Sequence, residues 1–333
     1  MTPRRRVFPL FIPHAGCKHD CVYCAQRSVT GRSAPVTPED VSAALEALAF
    51  GVDELALYGG SFTALPFDEQ RALLDAAAPY LAAGKIKSVR VSTRPDAIDE
   101  DVLGLLESRG VRTIELGAQS MDDGVLAKCR RGHTAADTVR AAALIRERGF
   151  QLVLQMMTGL PGSTDELDRA TAGALAALKP DGARIYPTVI LRDTALYELW
   201  RRGGYREHTV EDAVRVCAEI LPVFEAANIP VIRLGLNPTE ELSNGGSVAG
   251  GAYHPALGEL VKSRIFLERA RALLLASKPG ERKSVVLGVN KSDISQMTGQ
   301  RRQNLAALEA EFKLRSVRAA AADIPRGGIV ILK

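Results

Sequence analysis

Short apolar segments alternate with longer amphipathic segments along most of this chain. Six β-like runs lie at residues 7–12, 54–58, 88–92, 113–117, 152–157 and 182–190. Between them, residues 37–48, 68–81, 101–108, 135–148 and 165–178 carry apolar side chains at the 3.6-residue period of an amphipathic helix. Strands that alternate with helices in this way predict a parallel sheet with right-handed crossovers.

Six such units predict an α/β fold class, a partial (β/α)6-type TIM barrel, with an open doubly wound sheet as the alternative that the pattern also allows. The chain continues with a helix at 209–227, a strand at 229–234 and a Gly-rich loop at 244–251, predicted to be flexible or to face a ligand. Beyond residue 255 come a long helix, a β-like run at 284–289, a helix around 303–311 and a final apolar run at 328–332. We therefore predict a barrel over residues 1–235 and a small α+β extension over 236–333, with a Gly-rich loop, helices and short strands.

Composition and charge narrow the class of protein. Of the 333 residues, 46% are hydrophobic and 25% are charged, which is typical of a globular protein and excludes a disordered or low-complexity chain. The 43 basic and 39 acidic residues give a net charge of +4, too small to indicate a nucleic-acid partner. We predict no membrane partner because no apolar run approaches the roughly 18 residues of a membrane span. The basic start and short apolar run of residues 4–12 are interrupted by Pro9, which predicts a surface segment leading into a strand rather than a signal peptide.

Three cysteines directly after the first β-like run are the strongest chemical signal. Cys17, Cys21 and Cys24 lie too close together for an ordinary disulfide framework, and five cysteines in total favour a reducing cytoplasm. Thiolates at this spacing are typical iron–sulfur ligands, and three of them leave one iron of a four-iron cluster open for a ligand. The alternative is a zinc site that has His14 or His19 as its fourth ligand.

Polar and glycine-rich segments follow the later strands, where the active sites of β/α barrels gather. Each segment alone is ambiguous, because a polar residue at a strand end also caps the next helix and a pair of glycines also forms a turn. The segments are Gly59-Gly60-Ser61, Ser92-Thr93-Arg94-Pro95-Asp96, Gln119-Ser120 and Arg130-Arg131-Gly132-His133. Together they predict one polar site at the same edge of the sheet.

The motif Cys-x3-Cys-x-aromatic-Cys after the first strand of a β/α barrel resembles the radical S-adenosylmethionine (SAM) superfamily, and Tyr23 fills the aromatic position. The resemblance implies a [4Fe–4S] cluster on Cys17, Cys21 and Cys24. It also implies that SAM binds the open iron and that an electron, from a donor such as a flavodoxin or ferredoxin, cleaves SAM to methionine and a 5′-deoxyadenosyl radical. The protein would supply orientation and a pocket that protects the radical.

The later segments resemble a narrower group, the radical SAM domain of the catalytic subunit of Elongator, over roughly residues 9–235. The resemblance implies SAM contacts from Tyr23, Gly59, Gly60, Ser61, Ser92, Gln119 and Arg131, with Gln119 and Arg131 holding the ribose and carboxylate. It also places Gln155, Arg184 and Tyr186 around the reacting groups, with Arg184 available to pair with an anion and packing as the alternative role of Tyr186. Only 98 residues follow residue 235, which is too few for the acetyltransferase domain of that group, so we expect a stand-alone bacterial-type relative.

Three functions follow as hypotheses. The leading one is a radical SAM enzyme that modifies a tRNA base. A second is radical chemistry on a small anionic molecule, as in the oxygen-independent coproporphyrinogen oxidases, and a third is a non-catalytic protein that binds metal or RNA. Basic pairs at Arg5-Arg6, Arg130-Arg131, Arg201-Arg202 and Arg301-Arg302 are either an RNA-binding surface or exposed helix faces, and residues 291–302 are the first place to expect phosphate contacts.

Overall fold

The computed structural model describes residues 6–12, 16, 17, 20–25, 34–237, 242, 246–278 and 283–332. Within these residues, seven parallel strands form the main sheet in the order of the chain. They are β1 (Val7–Phe11), β2 (Val52–Tyr58), β3 (Ile86–Thr93), β4 (Val111–Gln119), β5 (Gln151–Thr158), β6 (Gly182–Pro187) and β8 (Val231–Leu234), whereas β7 (Val189–Leu191) lies outside this sheet.

Helices connect the strands. They are α1 (Pro38–Glu46), α2 (Phe67–Ala82), α3 (Glu100–Ser108), α4 (Asp123–Lys128), α5 (Ala135–Glu147), α6 (Asp165–Ala177), α7 (Ala195–Arg201) and α8 (Val210–Ala226). Thr37, Thr134 and Thr209 begin α1, α5 and α8 as capping boxes, in which the threonine and an aspartate three residues later satisfy each other's backbone amides. In the described part of the chain, no helix is long and apolar enough to cross a membrane.

The sequential strand order distinguishes a rolled sheet from a doubly wound one. A doubly wound sheet reverses its strand order at a switch point, and no reversal occurs here. Strands β1 and β8 are the two ends of the described sheet and do not pair with each other. The α/β class and the partial barrel are therefore confirmed, and the strand predicted at 229–234 is the seventh strand of this sheet.

The two faces of the sheet differ in chemistry. Side chains of β4 alternate, so that Ile114 and Leu116 join the large apolar core while Glu115 lies between them, fully buried. Glu54 on β2 and Arg90 on β3 are likewise buried and charged. The inner surface of the half-barrel therefore carries a layer of paired charges beneath the strand ends.

The run at 182–190 is divided between β6 and β7, and β7 pairs antiparallel with β9 (Val248–Gly251). The loop predicted at 244–251 is therefore wrong for residues 248–251, and residues 244 and 245 lie outside the described residues. Gly251 has φ +84°, and a Cβ there would lie 2.7 Å from the carbonyl oxygen of Thr188. Glycine is thus needed for close pairing with β7 rather than for flexibility.

The α+β class of the C-terminal part is also confirmed. Its elements are α9 (Leu257–Ser277), β10 (Ser284–Val289), α10 (Ile294–Thr298), α11 (Gln303–Glu311), β11 (Ser316–Ala321) and β12 (Ile329–Ile331). Strand β10 lies in the centre, parallel to β11 and antiparallel to β12. Helix α9 packs Leu257 and Val261 into the barrel core and Ala270 and Leu274 into a second core. The domain boundary at residue 235 stays a prediction.

Candidate functional site

A cleft of about 350 Å³ opens at the carboxyl ends of the barrel strands. This volume lies within the range of roughly 300–1,000 Å³ that is usual for small-molecule sites. Its lining contains Cys17, Cys21, Tyr23, Cys24, Gly59, Gly60, Ser61, Ser92, Gln119, Arg131 and Gln155. The structure thus brings together eleven of the thirteen predicted site residues, whereas Arg184 and Tyr186 do not belong to this lining.

The cysteine segment packs against the segment that follows β2. Gly16 has φ +70°, and a Cβ there would lie 2.1 Å from the carbonyl oxygen of Ser61, so only glycine allows this contact. The Sγ atom of Cys17 consequently lies 3.6 Å from Ser61 Oγ. The amide of Cys24 donates to the Cys21 carbonyl at 3.0 Å, which closes a turn that presents both thiols to the cleft.

The three cysteines form no disulfide bond and are partly exposed. Among the described residues, no group of three His, Cys, Asp or Glu side chains converges tightly enough to hold a single metal ion. His14 and His19 lie outside the described residues. A zinc ion draws its ligands to roughly 2.0–2.3 Å from one point, whereas a four-iron cluster is larger and its thiolates stand farther apart. The donor set, three thiols that line one cleft, is of the type that iron–sulfur clusters use.

Arg131 joins the cysteines to the end of β4. Its Nη1 donates to Cys21 Sγ at 3.2 Å and its Nη2 donates to the carbonyl of Gly117 at 2.7 Å. Arg94 donates to the Arg131 carbonyl and forms a two-point ion pair with Asp96, at 2.8 and 3.1 Å. A buried guanidinium is therefore fixed beside the thiol of Cys21.

Several buried polar atoms in this region have no hydrogen-bond partner among the described residues: Tyr23 Oη, Gln119 Oε1, Arg131 Nε and His133 Nδ1. Buried polar atoms in folded proteins are nearly always paired, so a group of unpaired ones beside a cleft indicates a missing ligand. Gln119 also has φ +66°, at a register shift between β4 and β5, which is a strained conformation for a residue other than glycine. This arrangement suits a ligand rich in hydroxyl and charged groups.

A charged network lies beneath the cleft, centred on Glu115, whose side chain is fully buried. Glu115 Oε1 accepts from Arg90 at 2.7 Å, Arg184 at 2.9 Å and the Tyr58 hydroxyl at 3.0 Å. Burial is the largest single influence on the pKa of Arg184 and lowers it, but Glu115, Tyr186 and Tyr58 together outweigh burial and leave this pKa above its ordinary value. Arg184 also donates to the Tyr186 hydroxyl at 3.2 Å. Its charge is therefore matched within the protein.

Gln155 connects this network to the cleft. Its Nε2 donates to Glu115 Oε2 at 2.9 Å. Because a carboxylate held by two arginines only accepts hydrogen bonds, the amide of Gln155 can bind it only through its NH₂ group. The carbonyl oxygen of Gln155 is then left as an acceptor for the cleft, which Gln155 lines.

Other lining residues were not predicted from the sequence: Asp20, Asp193, Thr194 and Ala195. Thr194 caps α7, since its Oγ1 accepts from the amide of Tyr197 at 3.1 Å and donates to the carbonyl of Leu191 at 2.6 Å. The capping pattern Asp193-Thr194 marks the start of a helix, but no local signal places that helix beside the cysteines.

Comparison with known proteins agrees with this geometry. A model of the radical SAM superfamily matches residues 11–172, and a model of the radical SAM C-terminal domain matches residues 180–266. The tRNA uridine(34) acetyltransferase of Methanocaldococcus jannaschii is 32% identical over 183 residues, which are 49% of this chain and 34% of that protein. Human Elongator complex protein 3 is 32% identical over 199 residues, 53% of this chain and 36% of that protein. The chain thus spans about a third of the length of these relatives.

Among solved structures, the archaeal Elp3 of Methanocaldococcus infernus superposes with a TM-score of 0.60 at 22% identity, over 84% of this chain and 66% of that one. This likeness shows a shared fold. The resemblance deduced from the cysteine motif and the strand-end segments is confirmed by the two family models together with the homologous relatives. The chain belongs to the radical SAM superfamily of enzymes, and its radical SAM region is homologous to that of Elongator complex protein 3.

Proposed function

We propose that Cys17, Cys21 and Cys24 hold a [4Fe–4S] cluster and that SAM binds beside it in the cleft. The observation that carries the proposal is the meeting of three cysteines outside any disulfide, a buried guanidinium and unpaired polar atoms at one edge of a half-barrel. When bound, cluster and SAM together supply a 5′-deoxyadenosyl radical that removes a hydrogen atom from the substrate.

The strand ends supply complementary contacts for SAM. Gly59 and Gly60 expose backbone to the amino acid end of the ligand, and Ser61 and Ser92 add hydroxyl groups. The unpaired Gln119 Oε1 accepts from a ribose hydroxyl, and Arg131 pairs with the carboxylate. Tyr23 packs against a small apolar cluster that includes Val125 and Leu160, and its unpaired hydroxyl is buried in the same region.

Gln155 is the group of the lower network that we propose to contact the substrate. Its carbonyl oxygen accepts a hydrogen bond from a substrate N–H or O–H group, because Glu115 already binds its NH₂ group. Arg184 and Tyr186 then act as positioning residues, since Arg184 binds Glu115 at 2.9 Å and Tyr186 binds Arg184 at 3.2 Å. A site whose polar groups are fixed before binding discriminates strongly against substrates that lack the matching group.

We propose a base of tRNA as the substrate. Support comes from the homologous radical SAM region of proteins named for tRNA uridine(34) acetylation and of Elongator complex protein 3. Because this chain spans about a third of those proteins, the acetyl transfer in their name is not carried over. We further propose that a flavodoxin or ferredoxin donates the electron in a reducing cytoplasm, consistent with five cysteines that form no disulfide.

The substrate proposal is tested by incubating the reconstituted protein, SAM and a strong reductant anaerobically with bulk tRNA from cells that lack the protein. Nucleosides from the treated tRNA are then compared by mass spectrometry. A new nucleoside that requires both SAM and the cluster supports the proposal. Absence of any new nucleoside, together with absence of tRNA binding at low salt, would overturn it and favour a small anionic substrate.

A further inference from the structure

The net positive charge of this chain lies in its C-terminal segment. Residues 283–333 hold nine of the 43 basic residues but only four of the 39 acidic ones, so this segment carries +5 and the rest of the chain carries −1. Nucleic acids bind proteins largely through their phosphates, and such binding follows local positive charge. The segment therefore carries net positive charge of the kind that RNA phosphates bind.

Three exposed cations of this segment, Lys291, Arg301 and Arg302, make no ion pair or side-chain hydrogen bond within the described residues. Three of the four carboxylates of the segment are bound to other groups: Asp293 to Arg326, Glu309 to the amide of Val317 and Glu311 to Arg271. The charges of Lys291, Arg301 and Arg302 are thus available for an external anion. We call these three residues the basic surface.

The turn that carries two of these arginines packs closely against buried Asn304. Residues 299–302 connect α10 to α11, and Gly299, Arg301 and Arg302 have φ of 74°, 49° and 64°. Asn304 is 2% exposed, and its Nδ2 donates to Ser263 Oγ at 2.9 Å and to the carbonyl of Gln296 at 3.1 Å. A Cβ on Gly299 would lie 2.9 Å from Asn304 Cγ, so the turn closes only around glycine. The backbone of this turn therefore places two adjacent arginines, Arg301 and Arg302, at the surface.

The order of elements around this turn resembles that of one class of RNA-binding module. Strand β10, helices α10 and α11 and strand β11 form a β-α-α-β unit, completed to a three-stranded sheet by β12. In KH modules, a Gly-x-x-Gly loop clamps the backbone of about four nucleotides of single-stranded RNA. Gly299-Gln300-Arg301-Arg302 occupies the corresponding place between two helices, with arginine in place of the second glycine. This likeness concerns the order of elements alone, which does not imply a function. The exposed positive charge is the reason to expect RNA as the ligand.

We propose that the basic surface binds the sugar–phosphate backbone of a single-stranded part of an RNA, and so holds the RNA while one of its bases enters the cleft. This inference rests on the proposed function, because it takes the substrate to be tRNA. It adds a second RNA contact, on a unit separate from the barrel sheet. Arginine suits this role because its planar guanidinium binds phosphate through two parallel hydrogen bonds.

The test compares tRNA binding by the reconstituted full-length protein and three double variants. Arg301→Gln with Arg302→Gln removes two charges, and Arg301→Lys with Arg302→Lys keeps them. Arg140→Gln with Arg148→Gln removes two charges from the outer helix α5 and its end, as a matched control. Filter binding is measured over a salt series, and circular dichroism verifies that each variant is folded.

We expect the Gln variant to bind tRNA on the order of tenfold more weakly at about 0.1 M salt. The slope of log K against log salt concentration should also become shallower by about 1.4, because each of the two lost phosphate contacts contributes about 0.7. The Lys variant keeps both charges and should lose clearly less affinity than the Gln variant, with an unchanged salt dependence, and the control should bind like the unaltered protein. An equal loss of tRNA affinity in the control and the Gln variant would overturn the proposal that the basic surface binds RNA. Full tRNA affinity in the Gln variant would also overturn it. Failure of the unaltered protein to bind tRNA would instead overturn the substrate proposal itself.

Discussion

Replacing Glu115 by glutamine tests whether the charged layer under the cleft acts as one unit. Glu115 is fully buried and lies between two arginines whose side chains are 8% and 14% exposed. Breaking a buried ion pair by removing one partner typically costs about 3–5 kcal/mol, because the remaining charge is left uncompensated. Arg90 keeps Glu54 at 2.6 Å, whereas Arg184 loses its carboxylate partner. We therefore expect the lower end of that range, a loss of about 3 kcal/mol.

The assay is urea unfolding of the cluster-free protein, followed by circular dichroism. The matched control is Glu166→Gln, which removes the same charge from an exposed ion pair with Arg169 on α6 and should leave the free energy of unfolding unchanged within error. If Glu115→Gln unfolds at the same urea concentration as the control, the layer does not act as a coupled unit. The roles given to Arg184 and Gln155 would then be wrong as well.

Three further predictions concern single residues. Arg131→Gln should keep the iron content of the reconstituted protein but weaken SAM binding by about tenfold or more, since a charged hydrogen bond is lost; calorimetry that finds unchanged affinity would contradict the assigned contact. Burial, together with the Arg131 cation, lowers the pKa of His133 to about 4, so His133 binds a proton in the unfolded chain at a higher pH than in the folded one. The cluster-free protein should therefore lose stability as pH falls from about 6.5 towards 4, and His133 should account for about 2 kcal/mol of that loss at pH 5. Urea titrations at pH 7 and pH 5 measure the loss, and His133→Gln should remove the part that His133 contributes. Gln155→Leu should still form 5′-deoxyadenosine while yielding at least about tenfold less modified tRNA, because the site then lacks an acceptor for the substrate; normal yield in the nucleoside assay would exclude Gln155 from substrate recognition.

The barrel and the cysteine site could be predicted from the sequence because their signals are local. Each β/α unit shows its own hydrophobic period, and Cys17, Cys21 and Cys24 lie within eight residues. The segments at the later strand ends could be placed together because parallel strands end at one edge of a sheet. These features needed no knowledge of which side chains meet across the fold.

What could not be predicted depends on pairing between distant residues. From the sequence, Arg184 is expected to be available to bind an anionic ligand. In the structure it donates instead to Glu115, which lies 69 positions away in the chain but nearby on the sheet. Strand β9 ends in two glycines, which usually indicate a loop, and its formation depends on the edge offered by β7. The sequence does not predict strand β11, because this segment is rich in alanine, which is uncommon in strands. In each case the deciding contact lies far away along the chain.

The most direct test of the central claim is anaerobic reconstitution with iron and sulfide, followed by incubation with SAM and a strong reductant. Mass spectrometry then measures 5′-deoxyadenosine in parallel for the unaltered protein and for Cys24→Ala. We predict about four iron atoms per chain and formation of 5′-deoxyadenosine for the unaltered protein, and loss of both for the variant. A protein that holds a full cluster but forms no 5′-deoxyadenosine, or a variant that keeps full iron and activity, would contradict the assignment of this site.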